Sequence, residues 1–240
     1  MRIAIVSDIH GNLTAFEAVM ADLRQTLPDV IFHGGDLAAS GSSPCEIVDR
    51  IRELGWPGVV GNADQMLFDP SKLKRFAEQS AGFRPFFPTV EEMAEVTRAA
   101  LGEERVAWLR ELSPVQKLKE MALVHGTPGD SWRAPAPEAS DDELVSAYEG
   151  LGRPIVVYAH IHRSFIRHTP RMTVANTGSV SLSYDGDRRA AYLVIEGSTV
   201  SIRRVEYDVE REIALLRQCG LPHSDWVAKT IASGSFQMPQ

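Results

Sequence analysis

The chain has 240 residues, with 25 Lys and Arg against 32 Asp and Glu, for a net charge of -7. Its 44% hydrophobic and 24% charged residues suffice to bury a core without disulfides, and the acidic balance argues against a dedicated nucleic-acid binder while leaving room for a small phosphorylated substrate drawn by a bound metal. Two cysteines, Cys45 and Cys219, with no C-x-x-C spacing exclude a zinc ribbon or disulfide framework, and apolar runs of about five residues fall far short of the roughly 20 that a membrane span needs.

Arg2 to Val6 reads as a buried strand. It follows Met1 directly and leaves no room for a secretory signal, so the expected location is the cytoplasm. Asn12 suits an N-cap, and Leu13, Phe16, Val19, Met20 and Leu23 recur at helical spacing, which predicts an amphipathic helix over 12–26. Val30 to His33 is a second strand. Pro44 and Gly55 bracket a second helix, and Pro57 to Val60 is a third strand. This alternation predicts parallel pairing with right-handed crossovers. Residues 65–118 hold no convincing strand. Ser71–Gln79, Thr89–Leu101 and Glu103–Leu112 read as helices around an aromatic, proline-rich turn, GFRPFFP. The expectation is one domain over 1–240 with a helical insertion at 65–118. Met121–Val124 returns to strand, 127–140 is an exposed loop, and Asp141–Glu149 is a short helix. Strands follow at Ile155–Ala159, Ser164–His168, Thr173–Asn176, Ala191–Ile195 and Val200–Tyr207. Turns such as YDGDRR favour antiparallel pairing among them. Helices at Glu210–Gln218 and Ser224–Ala232 close the chain.

Polar residues cluster just past the strands. SDIHG brings Asp8 and His10, GGD brings Asp36, and GNAD brings Asn62 and Asp64; HG brings His125, and AHIH brings His160 and His162. In open α/β sheets functional groups collect beyond the carboxyl ends of strands. Asp, His and Asn without thiolate suit Mn, Fe, Zn or similar ions. An extended backbone would set Asp8 and His10, and likewise His160 and His162, on one face. Seven such residues exceed one tetrahedral site, and Asp36 is the natural bridge between two metals. Taken singly each element is weak: an Asp-x-His, a GGD turn or a lone buried His is ordinary structure. Their order, each just past a strand, is not.

That order, carried by SDIHGN, GGDLAASG, GNAD, VHGTPGD, AHIHRSF and NTGSV, resembles the calcineurin-like metallophosphoesterase superfamily, in its small prokaryotic single-domain branch. The resemblance runs from residue 1 to about 205. It implies a mixed α/β (α+β) fold: a two-sheet β-sandwich flanked by helices in four αββα layers. It further implies a metal-dependent phosphoesterase with two divalent transition-metal ions, manganese first, with iron, zinc or nickel as alternatives. Asp8, His10 and His162 would bind one ion, Asn62, His125 and His160 the other, and Asp36 would bridge them. Asp36, Asn62, His125 and Asp64 would be the catalytic set, with a metal-activated hydroxide attacking phosphorus in line. The expected partner is a small phosphorylated substrate, with no dedicated nucleic-acid binding and no membrane. Alternatives are a nucleotide or cyclic-nucleotide phosphodiesterase, and a non-catalytic metal-binding scaffold. One position departs from the pattern. Much of the superfamily has GNH before an acidic residue, and that histidine assists the leaving group; here Ala63 stands in its place.

Several residues carry a weaker signal. His33 reads as a strand-end histidine packed beside the core, with a supporting or acid role as the alternative. Arg133, Arg163 and His168 are candidate phosphate contacts. Asn176 and Ser179 read as scaffold. Phe83, Phe86 and Phe87 are candidate groove residues, and the loop 127–140 is expected near the mouth of the site.

Overall fold

The computed structural model describes residues 1–239. Among the described residues nine strands form two sheets. In the first, β2 (Val30–His33) pairs parallel with β1 (Arg2–Val6), and β8 (Ala190–Glu196) lies antiparallel between β1 and β9 (Thr199–Val205). In the second, the order is β3 (Val115–Lys117), β4 (Met121–Val124), β5 (Ile155–Tyr158), β7 (Thr173–Asn176) and β6 (Phe165–His168).

The strands alternate side chains between two apolar environments, and this makes the layers. Ile3 and Ile5, Met121 and Leu123, and Ile155 and Val157 point between the sheets with Leu193 and Ile195. Ala4 and Val6 face the other way, onto Phe16, Val19 and Leu23 of α1 (Leu13–Thr26) and Ile47, Val48 and Ile51 of α2 (Pro44–Leu54). Ala122, Val124, Val156 and Tyr158 face Leu144, Val145 and Tyr148 of α6 (Asp141–Tyr148). The result is two sheets flanked by helices, as expected. Asn12 caps α1, its Oδ1 accepting from Ala15 N at 2.8 Å.

Several local expectations are corrected. Residues 57–60, expected as a strand, make only isolated bridges, His33 with Gly58 and Val59 with Ser113. The strand β3 lies within the stretch read as free of strands; its VQK sequence is polar because it is an edge strand on β4. β5 and β7 pair parallel, and YDGDRR connects the two sheets instead of joining paired strands. A short helix, α3 (Asn62–Phe68), follows GN directly, and α4 spans Pro70–Gln79. GFRPFFP is a 3-10 turn at Arg84–Phe86 that runs into α5 (Phe87–Arg110). Gly102, at φ 71°, breaks α5 between the two helices expected there. The chain ends with α7 (Val209–Gln218) and α8 (Ser224–Ser233), which pack on Met93 of α5 and Leu182. No helix among the described residues is long and apolar enough to cross a membrane.

Candidate metal centre

Both sheets end at the same place. The loops after β1 and β2 carry Asp8, His10 and Asp36; those after β4 and β5 carry His125, His160 and His162; Asn62 is the first residue of α3. The loops are stitched together by Asp8 N to Gly35 O and His10 N to Asp36 O, both 3.0 Å, and by Ala159 N to His125 O at 2.9 Å. The extended backbone expected for the D-x-H and H-x-H pairs is not found. Asp8, His10, Asp36, His160 and His162 all have left-handed backbone, with φ between 47° and 69°. Such a conformation is disfavoured for residues with a Cβ, and the structure concentrates it at the polar cluster, where strain is commonly stored for function.

One ligand atom from each of Asp8, His10, Asp36 and His162 lies within 4.8 Å of the others, and all four residues are buried. His10 Nε2 is 3.3 Å from His162 Nε2 and 3.7 Å from Asp36 Oδ2, and His162 Nε2 is 3.1 Å from Asp8 Oδ1. Beside them, His125 Nε2 is 3.3 Å from Asp36 Oδ2 and 3.0 Å from Asn62 Oδ1, and His160 Nδ1 is 2.8 Å from the same Asn62 oxygen. The other ring nitrogens are engaged by backbone carbonyls: His10 Nδ1 with Ala39 O at 2.9 Å, His125 Nδ1 with Gly34 O at 2.7 Å, His162 Nδ1 with Leu182 O at 2.6 Å. A carbonyl only accepts, so each Nδ1 bears the proton and, in a neutral ring, each Nε2 presents a lone pair. Lone pairs therefore face lone pairs and carboxylate oxygens across about 3 Å, and Asp8 Oδ1 is buried without a hydrogen-bond partner. Cations between them would satisfy every one of these atoms, and carbonyl-fixed imidazoles are the usual support of a metal site. The Asp8, His10, Asp36 and His162 group fits a metal ion.

The electrostatics follow the same geometry. Burial would raise Asp36, but His125 and His10 hold it well below the usual carboxylate range. Burial would lower His125, but the Asp36 charge and hydrogen bond outweigh it and carry it to about 9. Burial and then the charge of His125 push His160 down to about 4. Asp36 thus holds an extra proton on His125 that a divalent cation would displace.

Asp64, expected in the catalytic set, accepts from backbone amides with both carboxylate oxygens. Its Oδ2 accepts from Asp36 N at 2.8 Å and Gly61 N at 3.0 Å, and its Oδ1 from Leu37 N at 2.9 Å. It is fully buried, and burial followed by the Asp36 charge pushes it up to about 6. It holds the Asp36 loop against the start of α3. Ala63 N donates to Asp36 Oδ1 at 2.8 Å, and its methyl borders the cavity over the site.

The weaker candidates divide cleanly. His33 is buried with both ring nitrogens unpartnered, 6.4 Å from the Trp108 ring, and does not border the cavity. Arg163 pairs with Glu138, Arg133 donates to Gln79, and His168 Nδ1 lies 3.0 Å from Thr173 Oγ1; none of the three borders the cavity. Asn176 and Ser179 are scaffold: Asn176 Nδ2 donates to Ala159 O at 2.6 Å and Ser179 Oγ to Asp8 O at 2.8 Å. Phe83 borders the cavity, whereas Phe86 and Phe87 do not, and the loop 127–140 contributes Trp132. Sequence reasoning missed Ser7, whose Oγ donates to Asp8 Oδ2 at 2.6 Å, and Tyr184, whose ring stacks on His162 at 4.5 Å. Ser7, directly before Asp8, was within reach of the motif; Tyr184 carried no such signal.

Known proteins resemble this chain over most of its length. A model of the calcineurin-like phosphoesterase superfamily domain matches residues 1–199. The chain is 27% identical to the uncharacterized protein MJ0912 of Methanocaldococcus jannaschii, over 97% of this chain and 98% of that one. The crystal structure of a metallophosphoesterase from Sphaerobacter thermophilus superposes with a TM-score of 0.79 at 26% identity, covering 98% of this chain and 100% of the other. The hypothetical protein PH1004 from Pyrococcus horikoshii OT3 shares the fold, with a TM-score of 0.82 at 18% identity, covering 98% and 99%.

Proposed function

The chain belongs to the calcineurin-like phosphoesterase superfamily, and we propose that it is a cytoplasmic hydrolase of small phosphate esters working with two divalent cations. Asp8, His10 and His162 would hold one cation, Asn62, His125 and His160 the other, and Asp36 both. Manganese is the first candidate, with iron, zinc or nickel suited to the same donors. When bound, such a pair supplies Lewis acidity and neutralises charge as phosphoryl transfer to water proceeds. The chain's own residues prepare the site. Backbone carbonyls keep the protons of His10, His125 and His162 on Nδ1. Ser7 Oγ orients Asp8, and Asp64 fixes the backbone of Asp36 and Leu37.

The observation that carries this reading is the convergence of buried imidazole nitrogens and carboxylate oxygens about 3 Å apart, with Asp8 Oδ1 left without a hydrogen-bond partner. Protein stripped of metal is expected to lose hydrolysis of p-nitrophenyl phosphate and of its bis-ester, and Mn²⁺ to restore it. The ratio of the two rates separates monoesterase from diesterase action. Asp36→Asn should cost more activity and more bound metal than His10→Ala, because Asp36 serves both cations. Full activity in a sample shown metal-free by elemental analysis would falsify the proposal.

A further inference from the structure

The polar cluster opens into a cavity of about 250 Å³ whose walls change character within a residue of the candidate ligands. Above His10, Asp36, Asn62, His160 and His162 stand Met66, Phe76, Phe83, Trp132, Tyr184 and Trp226. They come from α3, α4, the turn before α5, the loop after β4, the connection to β8, and α8. The rings form a continuous wall: Phe76 is 5.1 Å from Phe83 and 5.3 Å from Trp132, and Tyr184 joins the wall to the cluster through its stack on His162. Phe236, 45% exposed and edge-on to Tyr184, marks the rim.

Most of the wall is aromatic or aliphatic, and the Ser40 and Tyr184 hydroxyls are the polar groups it leaves open. Trp132 Nε1 donates to Gln65 Oε1 at 2.9 Å, Trp226 Nε1 to Gln237 O at 2.6 Å, and Thr230 Oγ1 to Trp226 O at 3.2 Å. No lysine or arginine is among the described residues that line the cavity. A second phosphate within the cavity would therefore meet no cationic side chain, and a polyhydroxylated group would lose more hydrogen bonds to water than Ser40 and Tyr184 return. Ala63 stands at the boundary between the two zones, 5% exposed, and its methyl leaves open the space that a longer side chain would take.

We propose that the substrate is a phosphate ester of a bulky apolar alcohol, an aryl-bearing one best of all. Its phosphoryl group sits at the Asp–His cluster and its alcohol portion lies against Phe76, Phe83 and Trp132. This rests on the phosphoester reading above and names its substrate class. Aromatic rings gain from offset or edge-on contact with such a wall beyond the area they bury.

Two measurements on the metal-loaded full chain test it. Calorimetry compares 1-naphthylmethylphosphonate with 2,3-dihydroxypropylphosphonate, neither of which can be hydrolysed. Turnover compares 2-(1-naphthyl)ethyl phosphate with glycerol 1-phosphate, both esters of primary alcohols. The naphthyl phosphonate is expected to bind at least about tenfold tighter, and kcat/KM to favour the naphthyl ester by about 10²-fold. Phe83→Ser, at a half-buried position, should narrow the binding preference about fivefold. If that variant fails to fold, the wild-type comparison decides alone. Equal binding of the two phosphonates, or tighter binding of the hydroxylated one, overturns the inference even if both esters turn over. Preferential naphthyl binding with no turnover of either ester, nor of p-nitrophenyl phosphate or its bis-ester, supports the apolar cavity and overturns the hydrolytic reading instead.

Discussion

Ala63 binds Asp36 through its backbone N–H and brings no proton to the reaction. General acid assistance by a placed side chain is worth about 10²–10⁴-fold, most for poor leaving groups. Wild-type rates should therefore fall steeply as the leaving group becomes less acidic. Ala63→His should flatten that dependence, read from rates over a series of phosphate esters. A shallow wild-type slope that the variant leaves unchanged would mean that protonation comes from elsewhere. His33 makes a different prediction. Burial without any partner lowers its pKa from 6.5 to about 3. The unfolded chain then takes up a proton as pH falls below 6.5 while the folded chain does not, so stability is lost from there down to about pH 3. Between pH 7 and 4.5 the loss from this residue is about 3 kcal/mol. His33→Leu should remove most of it, as measured by urea unfolding at the two pH values. Equal losses in both proteins would place the proton elsewhere.

The elements divide between those that build the core and those that aim the site. α1 belongs to the first kind. Phe16 is 1% exposed and lies 5.8 Å from the Trp56 ring, so Phe16→Ala should cost roughly 3–5 kcal/mol with the cluster chemically intact. α3 belongs to the second. Its N-cap, Gly61, has an ordinary φ of -93°, yet a Cβ there would strike Asp36 Oδ1. Gly61→Ala is thus expected to lower bound metal and turnover by about tenfold or more while costing only about 1–3 kcal/mol in the metal-free protein. Metal content per chain and thermal melts of the stripped variants measure both effects. Normal metal content in Gly61→Ala would show that Asp36 has room to move.

At the scale of the molecule, the candidate ligands come from both sheets and from α3. A cation pair at the cluster would cross-link layers that otherwise meet through apolar contacts such as Ile5, Leu123 and Val157. It would also relieve the facing lone pairs that the left-handed loops bring together. Binding to the folded state alone adds about 2.7 kcal/mol at a hundred times Kd. For a chain of this length that is a rise in Tm of about 5–10 °C. Calorimetric scans of stripped protein with and without Mn²⁺ measure it, and identical transitions would count against the ligand assignments.

The order of strands and helices was legible because it rests on local periodicity: RIAIV and MALV alternate between two apolar layers, and Leu13, Phe16 and Val19 share one helical face. The candidate ligands other than Asn62 were legible because each follows a strand end, where parallel topology collects loops. What the tertiary structure alone decided depends on contacts between distant segments. The left-handed backbone at Asp8 and His10 is held by hydrogen bonds to Gly35 and Asp36, which no local pattern encodes. Asp64 looked like a catalytic neighbour of Asn62, and the approach of β2's loop turned it into a support for Asp36. The apolar cavity draws Phe76, Trp132, Tyr184 and Trp226 from four separate stretches of chain, each an ordinary hydrophobic residue until packing sets it over the polar cluster.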